Sequence, residues 1–152
     1  MGCRVAAARG AVGMTPHDRA VATAAVVAKF RARPFGWARP ATCIHLARAQ
    51  MRALGHRPPP LPRFTSPIGA TRALRDAGFA DLAGLLDSML PRITPGGMWV
   101  GDLALMEGDG TFDAIVVSQE WGARMVAGYH GDHLDEGVVN IEGHAFKAAW
   151  RL

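Results

Sequence analysis

Apolar positions divide the chain into two textures. Up to about residue 95 they recur at helical spacing, and beyond Pro95-Gly96-Gly97 they come in short runs broken by glycine turns. Thr15-Pro16-His17-Asp18 supplies a capping hydroxyl, a proline for the first helical position and an acid for the first turn. That predicts a helix whose apolar stripe is Val26, Val27 and Phe30 and which Pro34 ends. Thr42 is a good N-cap for a second helix. There Ile44, Ala47, Met51 and Leu54 recur at i, i+3, i+7 and i+10, placing that face inside and Arg48 and Arg52 in water, until Gly55 closes the element. His56 to Phe64, HRPPPLPRF, reads as a stiff extended connector. Ser66-Pro67 opens a third helix that runs through Leu74 to a stop at Gly78. Asp81 to Leu90 makes a fourth, with Leu82, Leu85, Leu86 and Met89 on one side. Strand-like runs follow at Met98–Val100, Leu103–Met106, Phe112–Ser118, Arg124–Gly128, Val138–Ile141 and Phe146–Arg151. Segregated runs make segregated layers, so the expected class is α+β: N-terminal helices, then a small antiparallel sheet or barrel.

At 152 residues, 49% hydrophobic and 20% charged, the chain has the length and composition of one soluble domain with its own core. Its longest apolar run, Val21 to Ala28 with Thr23 inside it, is far short of the ~20 residues of a membrane span. Two cysteines make no disulfide framework, so a reducing compartment and an exposed particle surface suit equally. Residues 1–14, rich in Gly and Ala, read as a flexible arm, and 15–152 as the domain. Charge is unevenly placed: residues 1–100 hold 14 Lys/Arg against 4 Asp/Glu, and residues 101–152 hold 3 against 9. Such a split favours head-to-tail contacts between neighbouring copies, or docking of the basic part on an anionic surface. A nucleic-acid partner is disfavoured, because the arginines are spread out, lysine is scarce and no aromatic-plus-basic run stands out.

Several short motifs, taken in order, resemble the NlpC/P60 cysteine peptidases. They are Pro34-Phe35-Gly36-Trp37, a cysteine opening a helix (Cys43, with Leu46 three places on), and the strand Gly101-Asp102-Leu103-Ala104-Leu105. Ala73-Leu74-Arg75 with Gly78, and Ala149-Trp150-Arg151 near the end, narrow the resemblance to small NlpC/P60-like proteins encoded in the tail regions of bacteriophages, prophages and gene transfer agents. The resemblance implies a papain-like core and location in a phage-like particle made in a bacterial cytoplasm. The partners it implies are other tail or virion proteins, further copies of the chain, or peptidoglycan. In active relatives the helix-head cysteine is the nucleophile, a histidine opening the strand after the Gly-Asp strand is the base, and peptide bonds of peptidoglycan stems are cut.

Cys43 suits the nucleophile's place, since a thiolate at a helix head meets the positive end of the dipole. The base is missing. The strand after the Gly-Asp strand begins Phe112-Asp113-Ala114, so Asp113 stands where the histidine is expected, and a carboxylate there repels a thiolate. His45 is about 200° around a helix from Cys43. His130, in Tyr129-His130-Gly131-Asp132-His133, is the best substitute base, although the segment also reads as a polar turn. His130, Asp132, His133 and Asp135 have metal-ligand chemistry but lack a ligand fixed elsewhere, so no cofactor or metal is expected. The chain departs from the family pattern again at Thr42, where an acid usually precedes the cysteine, and at Ala38, where glycine usually follows the tryptophan. Trp37, Trp99 and Trp150 are expected in the core and Trp121 at the surface. The first reading is therefore a tail component on a catalytically degenerate fold, and the alternative is an active peptidoglycan endopeptidase or amidase using Cys43.

Overall fold

A computed structural model of the chain describes residues 13–108, 112–122, 124–143 and 145–152. Most of the arm assigned to residues 1–14 lies outside them, while Met14 packs against the core. Thr15 starts α1 (Pro16–Arg31) through a reciprocal pair of bonds: Asp18 N donates to Thr15 Oγ1 at 3.0 Å, and Thr15 N donates to Asp18 Oδ2 at 3.2 Å. The predicted stripe, Val26, Val27 and Phe30, is buried. Thr42 caps α2 (Cys43–Ala53), which buries Ile44, Ala47 and Met51, and Gly55 follows it with φ 88°. Ser66 Oγ accepts from Gly69 N to start α3 (Pro67–Asp76), and Asp81 Oδ1 accepts from Gly84 N to start α4 (Leu82–Asp87). Expected to run to Leu90, α4 is shorter because Pro91 disfavours helical backbone at the residue before it; residues 88–90 tighten instead into i→i−3 and i→i−4 bonds. The proline connector between α2 and α3 lies over this helical group, enclosing an apolar cavity of about 190 Å³.

The C-terminal part is one antiparallel sheet of six strands: β1 (Arg92–Ile93), β2 (Leu103–Met106), β3 (Ala114–Ser118), β4 (Met125–Gly128), β5 (Val139–Glu142) and β6 (Phe146–Trp150). Their spatial order is β1-β6-β2-β3-β4-β5. The ends do not pair with each other, so the element is an open sheet. Two details depart from expectation. Met98–Val100 is not a strand: Trp99 N donates to the Asp102 carboxylate at 2.8 Å and Asp102 N to Trp99 O at 3.1 Å, a turn that withdraws those groups from any ladder. The two-residue strand Arg92–Ile93 is instead held by β6, where Arg92 faces Trp150.

The alternation along each strand separates two faces. Leu103, Leu105, Ile115, Val117, Ala127, Ala148 and Trp150 join the helices in the main core. Ala104, Met106, Val116, Val126 and Ala149 form a smaller cluster on the other side, closed by Met98 with Ile93, Ile141 and Phe146. Helix, sheet and C-terminus are tied together at Asp102, which is fully buried. Its Oδ1 accepts from Arg19 Nη2 at 2.9 Å and Leu152 N at 3.0 Å, and its Oδ2 from Arg151 Nε at 2.8 Å and Trp99 N at 2.8 Å. Arg19, also buried, donates further to Val100 O and Leu152 O, so none of its three nitrogens is stranded. The Gly-Asp and Ala-Trp-Arg motifs are thus parts of one polar knot.

Candidate functional site

Cys43 is the first residue of α2, and α2 lies across β3, so the thiol faces the start of that strand. It lines a cleft of about 460 Å³ together with Trp37, Thr42, Asp113, Tyr129 and His130. The three residues singled out from sequence, Cys43, Asp113 and His130, therefore share one concavity. What joins them is not a proton path. Cys43 Sγ donates to the backbone carbonyl of Asp113 at 3.9 Å, and among the described residues no histidine nitrogen hydrogen-bonds to the sulfur. Burial pushes the thiol's pKa above its ordinary value. Backbone N–H groups of Ile115, Cys43 and Ile44 pull the other way without reversing the shift, and the charge of Asp113 adds to the rise. Here desolvation wins over the helix head.

Asp113 does not act on the sulfur through its side chain in hydrogen-bond terms. Both carboxylate oxygens lie 3.0 Å from Lys147 Nζ, in an ion pair open to water. The strand that carries Lys147, β6, does not neighbour β3 in the sheet, which is why sequence spacing gave no sign of the pairing. His130 follows β4. Its Nδ1 accepts from Asp132 N at 3.3 Å and lies 3.9 Å from the Asp132 carboxylate, so the ring's polar contacts are local to its own turn.

His45 and His133 are engaged elsewhere. His45 Nδ1 lies 2.8 Å from Thr42 Oγ1 and accepts weakly from Thr42 N, completing the helix cap. Burial, with the nearby Arg48 charge, lowers its pKa and favours the neutral ring. His56 is likewise pushed down by burial and by Arg19. His133 pairs with Glu136 at 2.7 Å, His17 is exposed in the first turn of α1, and His144 lies outside the described residues. Among the described residues no three His, Cys, Asp or Glu side chains converge as metal ligands, the set His130, Asp132, His133 and Asp135 included.

Two contributors to the cleft were expected elsewhere. Tyr129, read as part of a polar turn, is 6% exposed and packs in the main core; its hydroxyl donates to Arg33 O at 3.1 Å. Burial, and secondarily Cys43 nearby, pushes its pKa up to about 12. The signal was there in the alternation, since Ala127 and Tyr129 share the inward face. Trp37, expected in the core, is half-buried instead and forms the cleft wall with Phe35 and Phe112, ring centroids 5.6 and 5.8 Å away, while its ring also meets Phe64 at 6.1 Å. Trp150 is buried as expected and Trp121 is 50% exposed as expected. Trp99 is not in the core: it is 42% exposed and carries the Arg151 guanidinium 3.6 Å from its ring centroid, with Trp121 beside it at 5.8 Å.

The chain belongs to the DUF6950 family, described as a domain of unknown function, whose model matches residues 14–152. No curated protein and no solved structure matches the chain.

Proposed function

We propose that this DUF6950 protein is a docking or assembly component of a phage-like tail, built on an NlpC/P60-like fold that has lost its catalytic base. The observation that carries the reading is the state of Cys43. Its thiol donates to a carbonyl, its pKa is raised by burial, and the side chain at the expected base position is a carboxylate committed to Lys147. Acyl transfer by cysteine needs a partner that takes the thiol proton and later returns it to the leaving amine. Neither the Asp113 carbonyl nor its ion-paired carboxylate fills that role. The resemblance of the short motifs to those of small tail-region proteins supplies the setting, and the uneven charge and exposed Trp99 and Trp121 suit contact with neighbouring proteins.

A peptidase reading has one specific observation in its favour: Cys43 and His130 line the same cleft. Two measurements separate the readings. Purified protein is added to peptidoglycan and turbidity followed, and particles from producing cells are tested for the chain by mass spectrometry. The docking reading expects no clearing, the chain present in particles, and particle yield unchanged by Cys43→Ala. Clearing that Cys43→Ala and His130→Ala each abolish, or particles devoid of the chain, would overturn it.

A further inference from the structure

Residues remote in sequence build a basic groove that no single stretch announces. The end of α1, the exposed side of α2 and the proline connector border about 590 Å³ of open groove lined by Lys29, Arg33, Arg48, Arg52 and Arg63, and among the described residues no carboxylate lines it. Among the described residues none of these five cations is ion-paired. Trp37 and Phe64 lie on its wall. Unpaired guanidinium groups around a concave surface suit planar oxyanions, which they hold by two parallel N–H bonds.

The chain carries the complement. Residues 125–146 hold four Asp/Glu and no Lys/Arg. Three of these carboxylates, Asp132, Asp135 and Glu136, project from one short segment, Gly131–Glu136, whose 3₁₀ pieces meet at a kink at His133, and are exposed there, Asp132 by 85% of its side chain. Groove and turn flank the same segment. Phe35 N donates to Leu134 O at 2.8 Å, Tyr129 of the turn's approach donates to Arg33 O, and Trp37 lines both the groove and the cleft beside the turn. Opposite charges on opposite faces would build an open chain of copies. Opposite charges side by side suit a two-fold axis, which sets each copy's turn into the other's groove and makes the same contact twice.

We propose that the basic groove and the Gly131–Glu136 turn are the two halves of a two-fold interface between copies of this chain. A polynucleotide is the weaker occupant, because the acidic turn, joined to the groove through the shared Arg33–Trp37 segment, repels a phosphate backbone that runs past the groove in that direction. The association does not depend on whether Cys43 is inert, so it stands or falls apart from the tail-component reading. Its charged contacts make it sensitive to salt.

Sedimentation equilibrium of the full chain tests it, at about 50 mM and about 500 mM salt, where the Debye length falls severalfold. Two charge-reversed forms are compared: Arg52→Glu with Arg63→Glu, and Asp132→Lys with Asp135→Lys. The wild type is expected to dimerise at low salt and to weaken at least tenfold at high salt. Each reversed form alone places like charges against each other and is expected to be monomeric. An equimolar mixture of the two places opposite charges in both contacts and is expected to dimerise, which also shows that both forms are folded. A wild type that stays monomeric at low salt, a dimer indifferent to salt or to the reversals, or a mixture that stays monomeric would overturn the proposal. So would a monomer whose groove takes up single-stranded oligothymidylate in a manner Arg52→Glu abolishes.

Discussion

Arg19 Nη2 lies 2.9 Å from Asp102 Oδ1, and both side chains are almost wholly withdrawn from water. The pair joins α1 to the start of the sheet, and Arg151 with the Leu152 and Trp99 amides complete the carboxylate's set of donors. Removing the charge strands Arg19. Asp102→Asn is expected to lower stability by about 3–5 kcal/mol, the usual cost of breaking a buried pair from one side. Asp113→Asn removes an ion pair of another kind, with Lys147, which is open to water, and its loss is expected to cost under about 1 kcal/mol. Urea midpoints at unchanged slope measure both.

Gly101 precedes that aspartate at φ +92°, and a Cβ there would stand 2.7 Å from Thr23 Oγ1 and 3.0 Å from both Gln50 Nε2 and Leu54 Cδ1. Backbone strain and overlap act together, so Gly101→Ala is expected to cost about 2–4 kcal/mol. Gly96 is the control. It has ordinary backbone and open space around it, and Gly96→Ala is expected to stay within about 0.5 kcal/mol. Thermal melts of the two variants check the contrast.

What could be read from the chain was set by local chemistry. Thr15 with Asp18, Thr42, Ser66 and Asp81 mark helix starts because capping is decided within four residues, and all four do so in the structure. The strands from Leu103 onward were legible through alternation; Met98–Val100 was not, because a buried carboxylate three residues on captures the Trp99 amide. The Asp113–Lys147 pair, the Asp102 knot and the basic groove escaped for one reason: each joins residues 34 or more positions apart. Trp99 was misplaced for the same cause, since the Arg151 that covers its face arrives from the far end of the chain. Cys43 and His130 border one cleft although the sequence also reads His130 as part of a polar turn, and the thiol's actual partner, a backbone carbonyl, leaves no trace in sequence.

Alkaline pH should loosen the fold through Tyr129. In the folded chain its phenol holds the proton up to about 12, against 10.0 for an unperturbed tyrosine. Between those values the unfolded state binds fewer protons, so stability is whole below about pH 10 and falls as pH rises toward 12. The Cys43 thiol, also raised, contributes in the same direction from a lower starting pH. Tyr129→Phe is expected to flatten the decline above pH 10 while costing about 1 kcal/mol at neutral pH through the lost bond to Arg33 O. Denaturant midpoints of both proteins, taken across that pH span, give the slopes.

The most direct test of the central claim is the pH profile of Cys43 alkylation by iodoacetamide, measured in a Cys3→Ser background so that one thiol reports. A thiol held by a carbonyl, raised by burial and without an imidazole partner among the described residues is predicted to react more slowly than free cysteine at neutral pH, with a rate still climbing past the ordinary cysteine value of about 8.5. A rate above that of free cysteine, already level by about pH 6 and lost on His130→Ala, would contradict it by revealing a thiolate–imidazolium pair.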